Sequence, residues 1–326
     1  MTARQPAEWA KHDWVWIGFP SHADLWLDDL EPAREEVVAF ALAVHADGTG
    51  EEVRLVAADA AAAQAARQLA PPGIGVIEQA FGDIWLRDTG PLILRDEARR
   101  SAASFRFNGW GGKYQLEGDD SIGLRLAETG TFAAHRHDWI LEGGAIEVDG
   151  TGLLVTTEQC LLNTNRNSEL GKQQVEERLR ANLGIAHILW LGNGLLHDHT
   201  DGHVDNLARF VGEGRLAIPE PTEDDPNAAV YQDARARAEA FGLVVATVPS
   251  PGRVIRDGEI VPASYMNFYI GNAAVVVPIY GAANDEAAVA TIGSLFPDRA
   301  VVGLRADHIL TGGGSFHCIS QQVPSA

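Results

Sequence analysis

Hydrophobic and polar positions along this chain recur in one order: two short apolar strands joined by a Gly-containing turn, an amphipathic helix, then another apolar strand. Residues 145–157 read as a hairpin turning at Asp149-Gly150. A helical pattern follows over 168–182, with Asn167 or Ser168 as N-cap and Gly184 just past its end. Residues 186–191 then read as a buried strand. The order returns as strand 204–211, a turn at 212–214, strand 215–219, helix 227–241 and strand 243–248. It returns again as 265–278 with a turn at Gly271-Asn272, helix 285–296 and strand 300–304. A fainter copy begins at 91–107, and a split copy pairs 316–323 with 14–19. The alanine-rich stretch 58–70 reads as a helix because Gln64, Arg67 and Gln68 interrupt it. The turns lie roughly sixty residues apart, long enough for one supersecondary unit. The fold class expected is α/β, with radial repetition, helices outside and strand ends converging where active sites favour to form. Without a linker or charge block, residues 1–326 read as a single domain.

Composition narrows the chemistry. The net charge of −20 disfavours nucleic acid and anionic membranes as partners and suits a cationic small molecule. Two cysteines fit a reducing compartment. With no signal-peptide core and no spanning apolar run, the sequence leads us to expect a cytoplasmic protein. It leaves open whether the chain forms a homo-oligomer.

Cys318 lies in TGGGSFHCISQQ, where three glycines permit close backbone approach to a ligand. Without a following Lys-Ser/Thr, this is not a phosphate-binding loop. Cys160, in TEQCLL, reads as a small buried hydrophobe. HDHTDGHVDN first suggests a metal site, and His199 and His203 have helical i, i+4 spacing. Thr200-Asp201-Gly202 reads as a turn, however, which favours His203 and Asp205 at the start of a strand, pointing to one side. DIWLRDTGP offers Asp88, otherwise readable as a surface turn residue paired with Arg87. LEGGAIEVDG offers Glu142 before two glycines. These groups fall at the ends of recurring units. Paired carboxylates suit a planar guanidinium, and a thiolate can attack its resonance-stabilised carbon once the cation is held in place.

The ordered stretches PAEWAKHDWVWIGFP, DIWLRDTGP, NGWGGKY, LEGGAIEVDGTGLLVTTEQCLLNTNRN, TDGHVDN and GGGSFHCISQQ resemble the agmatine deiminase family. That family lies within the guanidine-modifying penteins, with the bacterial Porphyromonas-type peptidylarginine deiminases. The resemblance implies a five-bladed α/β propeller and an S-alkylthiouronium intermediate on Cys318. It implies that His203 protonates departing ammonia and then activates water, while Glu142 supports His203. It implies that Asp88 and Asp205 clamp the guanidinium and that Trp85 walls the channel. No metal or organic cofactor is implied. The expected reaction is agmatine and water giving N-carbamoylputrescine and ammonia. Alternatives are a deiminase or amidinotransferase acting on arginine or peptidyl-arginine, a silent guanidine-binding protein, or a metal hydrolase using His197, His199 and His203. FPSHADLW departs from the family's arginine-containing version, and the chain is short for a member. Both differences bear on the far end of the substrate.

Overall fold

The computed structural model describes residues 3–96, 99–256 and 258–326. Five sheets are built by one rule: two antiparallel strands, a crossover containing a helix, then a strand parallel to the middle one. Leu92–Arg95, Arg100–Arg106 and Ala133–Ile140 form one such sheet. Ile146–Val148, Leu153–Thr157 and His187–Leu191 form the next. Arg209–Gly212, Arg215–Glu220 and Val244–Pro249 follow, then Tyr269–Ile270, Ala274–Ile279 and Ala300–Arg305. The remaining sheet is the split one. Ser320–Pro324 pairs antiparallel with His12–Gly18, which runs parallel to Glu52–Ala57, and Gly75–Glu78 extends its edge.

Local chemistry explains the elements. Asp149 Oδ1 accepts from Thr151 N at 2.9 Å, and Gly150 takes φ +80°, so the Asp-Gly turn forms as expected. The helix Lys172–Leu183 buries Val175, Leu179 and Leu183 as one stripe and ends at left-handed Gly184. Its cap is Gly171, not Asn167 or Ser168. Residues 164–167 form their own turn because Arg166 and Asn167 are drawn inward. The Asn167 amide brackets Ile140, accepting from its N and donating to its O at 2.9 Å each. A second departure concerns 204–211: Val204–Asn206 is a 3-10 turn, and the strand begins only at Arg209.

The units meet around a buried ionic knot. Glu8 accepts from Arg209 Nη2 at 2.9 Å, Ile270 N at 2.8 Å and Arg87 Nη2 at 3.4 Å, and it bonds His317 Nε2 at 2.8 Å. Arg209, fully buried, also reaches Glu147 at 3.2 Å and the Phe268 carbonyl at 2.5 Å. Burial would raise the Glu8 carboxyl, but Arg209, His317 and Arg87 hold it well below the usual range. Its stabilisation is therefore present at neutral pH and lost as pH falls through that depressed value. Glu8→Gln leaves buried guanidinium charge uncompensated and is expected to cost about 3–5 kcal/mol, read as a lower urea midpoint. A midpoint equal to wild type at pH 7 would refute this reading of the knot.

Candidate active site

A short helical turn precedes the first strand of each unit. Leu86–Thr89, Gly143–Ala145, Val204–Asn206 and Tyr265–Asn267 lead into Leu92, Ile146, Arg209 and Tyr269, while 315–319 leads into Ser320. These turns carry or adjoin Asp88, Glu142, His203 with Asp205, Asn267 and Cys318. The structure thus brings all the residues expected for the site into one region.

Asp88 is buried, not a surface residue, and Arg87 pairs with Glu8 instead. Its Oδ1 accepts from Gly144 N and its Oδ2 from Trp110 Nε1, both at 2.9 Å. Burial pushes its carboxyl up, Asp205 and Glu142 add to this, and His203 opposes it. Asp205 is wholly buried; its Oδ2 bonds His317 Nδ1 at 2.8 Å and lies 3.7 Å from Cys318 Sγ, while Oδ1 has no partner among the described residues. Burial would raise the Asp205 carboxyl, but His317, His203 and Arg209 together hold it low.

His203 and Asp205 are delivered by the 3-10 turn, not by a strand, with His203 N donating to Thr200 Oγ1 at 3.0 Å. Both His203 ring nitrogens are buried without a hydrogen-bond partner among the described residues, and Nδ1 lies 3.6 Å from Asp88 Oδ1. Burial opposes protonation, yet Asp88, Cys160 and Glu142 raise the imidazole well above its ordinary value. Glu142 is wholly buried; Arg166 Nε donates to its Oε1 at 2.6 Å, and Oε2 is unpartnered among the described residues.

Cys318 is nearly buried. Burial, then the carboxylates of Asp205 and Asp88, push its thiol well up, so it is neutral at rest. Asn267, wholly inside, donates Nδ2–H to Sγ at 3.0 Å and accepts from His317 N at 3.1 Å through Oδ1. Trp85 donates to Asp83 Oδ2 at 2.7 Å and stacks on Trp26 with centroids 6.2 Å apart. It walls a cavity of about 220 Å³ that is also lined by Asp83, Asp88, Trp110, Leu25, Thr200 and Cys318. A larger hollow of about 570 Å³ beside Arg4 and Asp149 holds none of the chemistry.

His197 and His199 are exposed while His203 is buried, so the three histidines do not converge. His199 sits at the cavity mouth, its Nδ1 3.0 Å from Tyr114 Oη. Among the described residues, the group able to hold a metal is instead Glu142, Cys160 and His203. Sequence reasoning missed the roles of Asn267, Arg166 and Trp110. Asn267 was findable, because its turn occupies the repeat position held elsewhere by Asp88 and Asp205.

Gly144 sits where these side chains crowd. A Cβ there would lie 2.6 Å from His203 Nδ1, 2.8 Å from Asp88 Oδ1 and 3.0 Å from Asp205 Oδ2. Gly144→Ala is expected to lower kcat/KM by about 100-fold through displacement of these groups, with far-ultraviolet circular dichroism unchanged. Full activity in that variant would show that the three groups need not hold these positions.

Five α/β units with a buried cysteine, histidine and carboxylates at their inner turns define a guanidine-modifying enzyme of the pentein superfamily. The sequence matches the Porphyromonas-type peptidyl-arginine deiminase family over residues 4–324. It is 37% identical to the agmatine deiminase of Stutzerimonas stutzeri, over 98% of this chain and 95% of that one. The agmatine deiminase of Enterococcus faecalis superposes with a TM-score of 0.93 at 33% identity, covering 99% of this chain and 96% of that one. The C. jejuni agmatine deiminase gives 0.90 at 27% identity, covering 100% and 97%. This chain belongs to the Porphyromonas-type peptidyl-arginine deiminase family.

Proposed function

We propose that this chain hydrolyses agmatine to N-carbamoylputrescine and ammonia through a covalent adduct on Cys318, within one catalytic domain of residues 1–326 whose five units are the blades of a five-bladed α/β propeller. The observation that carries the reading is a set of buried atoms without hydrogen-bond partners among the described residues, in the same region as Cys318: Asp205 Oδ1, Glu142 Oε2 and both His203 ring nitrogens. Leaving such groups unpaired costs about 1–3 kcal/mol each. A planar cation with several N–H donors satisfies Asp205 Oδ1 while its charge meets that of Asp88.

Asp88 and Asp205 hold the guanidinium. Its charge offsets theirs, the Cys318 thiol gives its proton to solvent through the cavity, and Sγ attacks the guanidinium carbon. His203, protonated at neutral pH by its carboxylate neighbours, gives its proton to the departing ammonia. The S–C adduct remains, and His203 then takes a proton from water as the oxygen attacks. Collapse leaves the ureido product and a free thiol. Glu142, fixed by Arg166, holds the imidazole as a triad's third member does. Trp85 lies along the alkyl chain.

The cavity lining favours agmatine over arginine. No lysine or arginine is among the lining residues, so a substrate carboxylate finds no cation, whereas Asp83 and Asp88 suit a dication. The same cavity accommodates a small molecule better than a peptide. No helix of the described residues is long and apolar enough to cross a membrane, and we place the enzyme in the cytoplasm.

Ammonia release from a panel of agmatine, arginine, peptidyl-arginine and smaller guanidines tests the reading. Release from agmatine, absent in Cys318→Ala, is expected; release from arginine alone would correct the substrate, and silence across the panel would sink the activity. On the pH axis, the raised Asp88 carboxyl must ionise before the cation binds, so the acid limb of kcat/KM should lie above the ordinary carboxylate range. The raised His203 value should carry activity past neutrality, with loss on the alkaline side as the imidazolium deprotonates. A profile falling from pH 6 upward would contradict that assignment.

A further inference from the structure

His203 and Glu142 meet a third side chain that the reaction above does not use. Cys160 stands in the short helix Glu158–Leu161, wholly buried. Its Sγ, a ring nitrogen of His203 and a carboxylate oxygen of Glu142 all lie within 4.8 Å of one another. The histidine nitrogens and Glu142 Oε2 have no hydrogen-bond partner among the described residues. Arg166 occupies only the other oxygen of Glu142, leaving Oε2 free to act as a monodentate ligand.

We infer that Glu142, Cys160 and His203 form an inhibitory binding site for a zinc-class divalent cation, which stops turnover by taking His203 out of use. The inhibitory half of this inference rests on the acid–base role proposed for His203; the binding half does not. Sulfur, nitrogen and oxygen together make the borderline-soft donor set that zinc accepts at about 2.0–2.3 Å. Three protein ligands leave a fourth tetrahedral position for water. The donor atoms must draw together by about 1 Å to reach those bond lengths, within the reach of side-chain rotation. Asp88 and Asp205 stand beside the group and favour a dication there. Access runs through the substrate cavity, since Asp88 lines it and its Oδ1 lies 3.6 Å from His203 Nδ1. On binding, the Cys160 S–H bond and one N–H bond of the His203 imidazolium break, sulfur and nitrogen keep the electron pairs and bond the metal, and both protons leave to solvent. Arg166 on Oε1 then orients the ligating carboxylate from behind.

The chain has two cysteines, so Cys318→Ala leaves Cys160 as its sole thiol. Titration of that variant with Co²⁺ should produce a thiolate-to-cobalt charge-transfer band that saturates at one equivalent and is bleached by Zn²⁺. The band should be absent from the Cys160→Ser, Cys318→Ala double variant. No band in the first protein, or a band surviving in the second, overturns the site. For the activity half, Zn²⁺ should inhibit the otherwise native enzyme reversibly, and Cys160→Ser should weaken that inhibition by about 10–100-fold. Unchanged inhibition would assign the metal to Cys318 and overturn the proposal. Cys160→Ala serves as a second variant should serine be rejected by the apolar surroundings. The cobalt titration reads binding without turnover, so its failure is distinct from a failure of the deiminase reading.

Discussion

The carboxylate of Glu8 is the point on which the architecture depends. It lies before the first strand, yet it bonds Arg87, Arg209, the Ile270 backbone and His317, groups that stand at the inner ends of different sheets. Charges this deep carry a desolvation cost that only near-complete pairing offsets. Any slippage of one sheet against its neighbours would leave a guanidinium or a carboxylate stranded. The knot therefore selects one arrangement of the five units, more than it adds stability. It also reaches the chemistry, because His317 is held between Glu8 and Asp205. The orientation of the Asp205 carboxylate beside Cys318 is set by a residue at the other end of the chain.

Electrostatics divides the labour within the site. Asp205 is kept ionised by His317, whereas Asp88 and the Cys318 thiol are pushed towards neutrality by burial and by each other's neighbours. A resting thiol in such a setting is a poor nucleophile for stray electrophiles. In the proposed reaction it becomes a good one when a cation enters, which couples reactivity to recognition of charge. The Asn267 amide at 3.0 Å supplies an N–H to the sulfur when it ionises.

Much of the scaffold was legible in the sequence. Hairpins show themselves through Asp-Gly and Gly-Asn turns, and helices through apolar stripes ended by glycine, as at Gly184. Cys318, His203, Glu142, Asp88 and Asp205 were legible too, since ionisable groups beside glycines at unit ends have few structural excuses. What escaped was of two kinds. Asn267 and Trp110 do not titrate, so nothing in their chemistry marks them before their hydrogen bonds are known. Arg166 and Cys160 sit in segments whose local pattern suggests a helix end and an apolar core. Only tertiary packing turns Arg166 onto Glu142 and sets Cys160 against His203. The turn at Val204–Asn206 escaped for a related reason, because residues 202–211 are all buried and such an unbroken buried run imitates a core strand.

The split sheet has a consequence in time. Ser320–Pro324, which follows directly on Cys318, completes a sheet begun by His12–Gly18, and the Glu8–His317 bond spans 309 positions. During synthesis the first sheet must wait, with an open edge, until the final strand leaves the ribosome. Completion of the first sheet and placement of Cys318 then depend on contacts between the two ends of the chain, which close the longest loops and form late. A nascent chain of this protein, however well its middle units have packed, lacks Cys318.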